Sequence, residues 1–474
     1  MSNDFEFDVI IIGAGINGAG IARDAAMRGL KVLLLDKADI ASGTSSASTR
    51  LIHGGLRYLE HFEFGLVRES LRERETLLRI APHLVRPLAI TIPIYKQSKR
   101  GPLTIRVGMI AYDLLSTGKS LPRHHMLSPA ETLEQSPGLN RDGLLGSAVY
   151  FDAQVEFAER LVVENVLSAR ERGAEVITYA PVTKLAAVGE DVMAVEFVSD
   201  EQTQYARARV VINAAGPWVD QLLERAPVVS SRLIGGTKGS HIVVPAFPGA
   251  SSNAIYLEAQ TDRRPFFIIP WNGNYLIGTT DIRFEQDPDC ARSERWEIDY
   301  LLAETNRAFP GAGLTRASIL FTYSGVRPLP WTRNEDEQSI TRRHFIREHP
   351  HLKNLVSIVG GKLTTYRSLA EECVDLVFRK FGRHSPPCVT AKEVLPPPPV
   401  HHDLTAAVIY SFEHELARTL ADCFLRRTMV GLNADLGLSK LEAAAEIGKR
   451  LLGWSDERAK QEVENYRAAV KKFL

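Results

Sequence analysis

Residues 8–12 (DVIII) form a continuous apolar run, the pattern of a strand buried on both faces of a parallel sheet. The run leads directly into Gly13-Ala14-Gly15-Ile16-Asn17-Gly18, and helical spacing follows to about residue 28, with Gly29 as a C′ residue. Residues 31–35 (KVLLL) predict a second strand that ends on Asp36, completing one βαβ unit. Residues 57–79 are charged with helical spacing. The stretch 93–127 is rich in Lys, Arg, Pro and His and reads as loop, with one apolar helix candidate at 107–115. An amphipathic helix is predicted over 153–172, closed by Gly173. Alternation at 175–178, 182–185 and 193–198 predicts antiparallel strands. Buried-strand patterns return at 208–212 (ARVVI), before Asn213, and at 355–359 (LVSIV), before Gly360-Gly361 and a helix from about Thr364. Short strands between 239 and 280 indicate a second, sheet-based domain. Four prolines at 396–399 make a stiff spacer, and the pattern beyond it is helical to residue 474.

The buried-strand segments come early, middle and late, so the α/β domain is expected to be discontinuous. The expected architecture mixes α/β and α+β. A Rossmann-like domain covers 1–90, 145–225 and 351–395, an antiparallel-sheet substrate domain covers 91–144 and 226–350, and a helical domain covers 400–474. A length of 474 residues with 45% hydrophobic and 24% charged residues fits a multidomain globular protein and excludes a largely disordered chain. Lysine plus arginine and aspartate plus glutamate both total 57, so no global charge recruits nucleic acid, and no zinc, RNP or helix-turn-helix pattern is present. Cys290, Cys373, Cys388 and Cys423 lie far apart without a C-x-x-C, which argues against a disulfide scaffold or metal site and suits a reducing compartment. The acidic N-terminus lacks signal-peptide character and no 18-residue apolar run occurs, so a cytoplasmic location is expected.

G-x-G-x-x-G is a weak signal by itself. Here it follows a strand, opens a helix, and is followed by an acidic strand end, which is the context dinucleotide binding requires. Gly13 permits the tight turn, Gly15 lets the backbone approach a pyrophosphate, and Gly18 allows close packing of the helix. Asp36 is placed to accept from ribose hydroxyls, and Asn17 belongs to the same turn. Three further elements favour FAD over NAD. They are a hydroxylated loop with Thr44, Ser45 and Ser46; Ala214-Ala215-Gly216 with Trp218 after a buried strand; and Gly360-Gly361-Lys362-Leu363-Thr364 at a helix start, where amides and a helix dipole stabilise charge on a reduced flavin. Val182 is counted with this set.

The segments IIIGAGINGAGIARDAAMRGLKVLLLDK, GTSSASTRLIHGGLRYLEHFEFGLVRESLRERE, NAAGPWVD, KGSHIVVP, IIPW, IGTTD, YSGVRPL, SITRR and GGKLTTYR resemble the FAD-dependent glycerol-3-phosphate dehydrogenases of the glycine/D-amino-acid oxidase-like flavoprotein group. The C-terminal region, with Arg426-Arg427-Thr428, resembles the family's appended domain but looks short, and no long insertion of an oxidase type is seen. The resemblance implies oxidation of glycerol 3-phosphate to dihydroxyacetone phosphate, with electrons passed to the quinone pool. It also implies peripheral association with an anionic membrane surface at the inner face of the cell membrane. The oligomeric state, a homodimer included, is left open. Rival readings are an oxidase using oxygen, an amine or amino-acid oxidase, and a non-catalytic flavin-binding module.

A phosphomonoester dianion calls for several cations, preferably forked guanidiniums. Arg57, Arg327, Arg342 and Lys362, with Tyr58, lie inside matching motifs and are the expected substrate ligands, although Arg343 competes with Arg342 for the inward position. Oxidation of the C2 alcohol also needs a proton acceptor, for which His53, His241 and Lys362 are candidates. Arg327 stays protonated and is better cast as a stabiliser of developing alkoxide. His241 is the preferred base, with His53 and the close-approach pair Gly54-Gly55 on the flavin side. Lys96, Lys99, Arg100 and Arg106 lie at the N-terminal side of segment 107–115, which is either a core helix or an interfacial anchor too short to span a bilayer.

Overall fold

The computed structural model describes residues 5–116, 118–188, 192–227, 231–333 and 340–474, apart from the side chains at 57, 60, 61, 188 and 192. Phe7–Ile12 lies in the middle of a sheet ordered Phe345–His349, Leu352–Val359, Gln202–Asn213, Phe7–Ile12, Val32–Leu35, Glu175–Ile177. All neighbours in this row are parallel except the edge strand Phe345–His349. Val9 and Ile11 pack beneath the helices Ile16–Met27, Ala158–Glu171 and Tyr366–Lys380, while Ile10 and Ile12 face Val195, Phe197, Val219 and Leu222. Both faces are covered, which is why the run shows no polar alternation.

The second sheet runs Ile282–Arg283, Thr237–Val244, Asn274–Gly278, Pro265–Trp271, Ala254–Glu258, Val85–Tyr95, Leu144–Val155, Leu51–Ile52, with Phe321–Arg327 also paired to Thr237–Val244. Strand pairing departs from the expected domain boundaries. Val85–Tyr95 and Leu144–Val155 pair with each other along their whole length, so the substrate sheet takes in Leu51–Ile52 and both of these strands intact. In the opposite sense, Phe345–His349 pairs with Leu352–Val359 and so belongs to the nucleotide sheet.

The helices Leu404–His414, Leu441–Leu451 and Asp456–Val470 form the C-terminal layer. It is not a detached unit. Phe424, Trp454 and Tyr466 share one core cluster with Trp271, Phe321 and Tyr323 of the second sheet. Asp39, fully buried after the second strand, accepts hydrogen bonds from Arg426 Nε (2.5 Å) and from Arg427 Nη1 (2.9 Å) and Nη2 (2.7 Å). Burial alone would raise this carboxyl, but Arg427 and Arg426 hold it below the usual range.

The segment expected as a buried helix or an anchor is the helix Pro102–Leu115. Of its side chains, Met109 and Tyr112 are buried, whereas Leu103, Val107, Ile110 and Leu114 are exposed. The core-helix alternative is therefore corrected: one face docks and the other presents apolar groups outward. Phe62 and Phe64 stand nearby, their rings 6.2 Å apart, and are also exposed. Among the described residues, no helix is long and apolar enough to cross a membrane.

Candidate active site

The fingerprint turn is built by close approach. Gly13 has φ of +110°, and a β-carbon there would lie 2.6 Å from the Ala214 carbonyl oxygen. A β-carbon on Gly18 would lie 1.8 Å from Gly13 O, so the helix Ile16–Met27 can sit against the turn only with glycine at that position. The turn forms one end of a cavity of about 460 Å³. Gly13, Gly15, Asn17, Asp36, Thr44, Ser45, Val182, Ala214, Ala215, Gly216, Trp218, Gly360, Gly361, Lys362 and Leu363 line it. The predicted cofactor residues are thus brought together from five separate stretches of chain. Asp36 accepts from Ala14 N (2.6 Å) and Ala38 N (2.8 Å), and burial pushes its carboxyl up to about 6, so it is ionised at neutral pH. Ser45 Oγ accepts from Ile16 N at the helix start (3.0 Å). Asn17 Oδ1 and Trp218 Nε1 are buried without a partner among the described residues, which leaves one acceptor and one donor for a bound molecule.

Some expected cofactor contacts lie elsewhere. Ser46 lines an adjoining cavity and donates to Gly43 O (2.8 Å). Thr364 Oγ1 accepts from His53 N (3.2 Å), tying two loops together without lining the cavity. Gly54 and Gly55 do not line it either. Gly54 N donates to Tyr112 OH (2.9 Å), and a β-carbon on Gly55 would strike the Tyr58 ring at 2.1 Å. Their lack of side chains serves packing against Tyr112 and Tyr58.

Beside the cavity stand the cations. Lys362 lines the cavity wall, its Nζ donating to Ser70 Oγ (2.7 Å) and lying 4.8 Å from the centre of the Tyr58 ring. Burial lowers its ammonium to about 8, helped by the charge of Arg342 and opposed by Glu69 and Glu63. Arg327 Nη1 donates to Asp281 Oδ1 (3.0 Å) and its Nη2 to Thr279 Oγ1 (3.0 Å), while Arg342 Nη2 donates to Asp281 Oδ2 (2.8 Å). Arg342 is half-buried with Nη1 unpartnered and Arg343 is exposed, so Arg342 is the inward member of the pair. The side chain of Arg57, expected as a phosphate ligand, lies outside the described residues.

The two histidines differ in access. His241 is 1% exposed, stacked on Tyr323 at 4.8 Å, with Nε2 within 2.9 Å of Thr49 Oγ1. Burial, with Arg327 and Arg50, pushes its imidazole well below 6.5. The expectation that His241 takes the substrate proton does not fit a ring so fully enclosed. His53 is half-buried, and burial likewise lowers its pKa, with Lys362 and Arg74 adding to the effect against Asp152. It is therefore neutral at pH 7, with an unprotonated nitrogen to offer. Asp281, Ser70 and Thr49 were not anticipated. Their partners are 46 to 292 residues away, and no local pattern announces such contacts.

A family model described as FAD dependent oxidoreductase matches residues 8–375, and one described as the C-terminal domain of alpha-glycerophosphate oxidase matches 359–459. The glycerol-3-phosphate dehydrogenase of Synechocystis sp. is 44% identical, over 97% of this chain and 95% of that protein. The aerobic glycerol-3-phosphate dehydrogenase of Staphylococcus aureus is 36% identical, over 82% of this chain and 71% of that protein. The crystal structure of the glycerol-3-phosphate dehydrogenase from Bacillus halodurans, complexed with FAD, aligns with a TM-score of 0.80 at 28% identity, covering 100% of this chain and 96% of that one.

Proposed function

The chain belongs to the FAD dependent oxidoreductase family, and on that premise we propose that it oxidises glycerol 3-phosphate to dihydroxyacetone phosphate and delivers the electrons to a membrane quinone. The observation that carries the reading is the convergence of Arg327, Arg342 and Lys362 beside a dinucleotide cavity, three cations suited to a phosphate dianion. FAD fits the lining residues. Asp36 would hold the ribose, the amide at Gly15 the pyrophosphate, and Asn17 and Trp218 would satisfy their unpaired atoms on the cofactor. When bound, FAD supplies the hydride acceptor.

The remaining tasks fall to side chains of the chain itself. Lys362 and the two arginines anchor the phosphate and so fix where the C2 hydroxyl lies. His53, neutral and half-buried, takes the hydroxyl proton on its free ring nitrogen. Arg327 steadies the negative charge that develops on that oxygen.

The acceptor reading is supported by a second cavity of about 490 Å³, lined by Leu56, Leu59, Ile94, Ile105, Met109 and Tyr256. The Tyr256 ring lies 5.2 Å from Phe267, and Phe267 lies 6.5 Å from His53, so two aromatic side chains separate the apolar cavity from the proposed base. Phe62 and Val107, both exposed, also line this cavity, which suits an acceptor arriving from a lipid phase. The decisive experiment is anaerobic mixing of holoenzyme with glycerol 3-phosphate. The flavin spectrum should bleach and return on addition of a short-chain quinone faster than on addition of oxygen. No bleaching would refute the substrate, and faster return with oxygen would refute the acceptor.

A further inference from the structure

The geometry points to Asp281 as the positioning residue of the phosphate site: one carboxylate holds Arg327 and Arg342 as a preorganised fork and leaves donors of that fork for the substrate. This inference rests on the reading that the two arginines bind phosphate. Arg327 belongs to the strand Phe321–Arg327, whereas Arg342 comes from an irregular segment before Phe345–His349. No backbone ladder joins Arg342 to Arg327, and like charges would push the two apart. Asp281 spans them with one oxygen each, 3.0 Å to Arg327 and 2.8 Å to Arg342. Its own place is set by the sheet. The adjacent Ile282 pairs with Lys238, and Thr280 Oγ1 donates to Glu297 (2.6 Å), so the carboxylate is presented from a rigid base.

Two details separate a positioning role from an incidental surface pair. The side chains are largely enclosed, at 13% exposure for Asp281, 25% for Arg327 and 15% for Arg342. Moreover, Arg342 Nη1 is buried without a partner among the described residues, a donor that a phosphate oxygen would satisfy. Burial tends to raise the Asp281 carboxyl, yet Arg327 and Arg342 hold it below the usual range, so it remains an anion throughout the working pH range. A carboxylate behind a guanidinium pair plays the part that outer-sphere acids play behind metal ligands: it fixes orientation without touching the substrate.

The test is steady-state kinetics of flavin-loaded Asp281→Asn and Asp281→Glu, with inorganic phosphate as competitive inhibitor and Arg342→Ala measured alongside. In Asp281→Asn, KM for glycerol 3-phosphate and Ki for phosphate should rise together by roughly 10–100-fold with flavin content intact, and kcat should fall by a smaller factor than KM rises, as Arg327 is loosened too. Asp281→Glu keeps the charge and should recover part of the loss. Unchanged or lower KM and Ki in Asp281→Asn would overturn the proposal. So would a loss confined to kcat, or one that tracks flavin loss in both Asp281 variants. If Arg342→Ala leaves phosphate Ki unaltered, the phosphate-site reading itself fails. If Arg342→Ala weakens phosphate and Asp281→Asn does not, only the role of Asp281 falls.

Discussion

Gly15 sits at φ −74° and ψ −178°, ordinary extended backbone, and a β-carbon there meets nothing closer than Ser45 Oγ at 3.4 Å. Gly15→Val should therefore fold and melt near the Tm of the flavin-free wild type while retaining no FAD, because the branched side chain fills the space the pyrophosphate needs. Visible absorbance set against Tm reports both, and a normal flavin content would show the turn to be misassigned. Lys362 offers a second test at this scale. Its ammonium is lowered to about 8, so the charge that attracts phosphate is present below that pH and lost above it. KM for glycerol 3-phosphate should climb by up to about tenfold per pH unit above 8. Lys362→Arg should flatten the rise, since a guanidinium stays charged. A KM indifferent to pH from about one unit below that value to about two units above it in the wild type would remove Lys362 from the phosphate site. The residues legible in the sequence were those whose chemistry is local, such as Gly13, Asp36 and the cations inside compact motifs. Asp281 was not, because its meaning depends on partners 46 and 61 positions away.

Among the elements, the first βαβ unit was legible because a strand covered on both faces shows an uninterrupted apolar run. Val85–Tyr95 was not, because Pro87 and Pro93 break the pattern of a strand that nonetheless pairs with Leu144–Val155 throughout. The apolar stretch at 107–115 was legible as helix, yet composition could not say which face would be covered. Its exposed Leu103, Val107, Ile110 and Leu114 form the face we propose for contact with an anionic membrane surface, with Lys96, Lys99 and Arg106 exposed beside it. Arg100 departs from the expected cluster, being paired with Glu258 at 2.5 Å. Replacing Val107, Ile110 and Leu114 by Ser should abolish co-sedimentation with anionic liposomes, and Lys96, Lys99 and Arg106 to Glu should weaken it most at low salt. Each lysine or arginine near such a surface contributes about 1 kcal/mol, screened within a Debye length. Equal pelleting of wild type and both variants would dispose of this helix as the contact.

At the scale of the whole molecule, the C-terminal helices were legible as helices, but their fusion to the nucleotide domain was not, since Asp39 and Arg427 lie 388 positions apart. Arg427→Ala would leave Asp39 buried with half its support, a change that typically costs about 3–5 kcal/mol. The expected result is a clear drop in Tm with flavin released early in the melt, followed by flavin fluorescence. A melt unchanged from wild type would show that the pair holds nothing together.

The sheet order has a further consequence, for synthesis. Leu352–Val359 lies against Gln202–Asn213, which lies against Phe7–Ile12, so the nucleotide sheet is finished only by a strand that ends at residue 359. At ~5–20 residues per second, translation leaves the first strand waiting on the order of 20–70 s for its last neighbour. Until then the Gly13 turn lacks the Gly360-Gly361 wall of the cavity, and a nascent chain has nowhere to hold a dinucleotide. Unpaired parallel edges meanwhile stay open to other chains. Flavin loading thus waits for the strand that ends at residue 359 and for the Gly360-Gly361 turn that follows it.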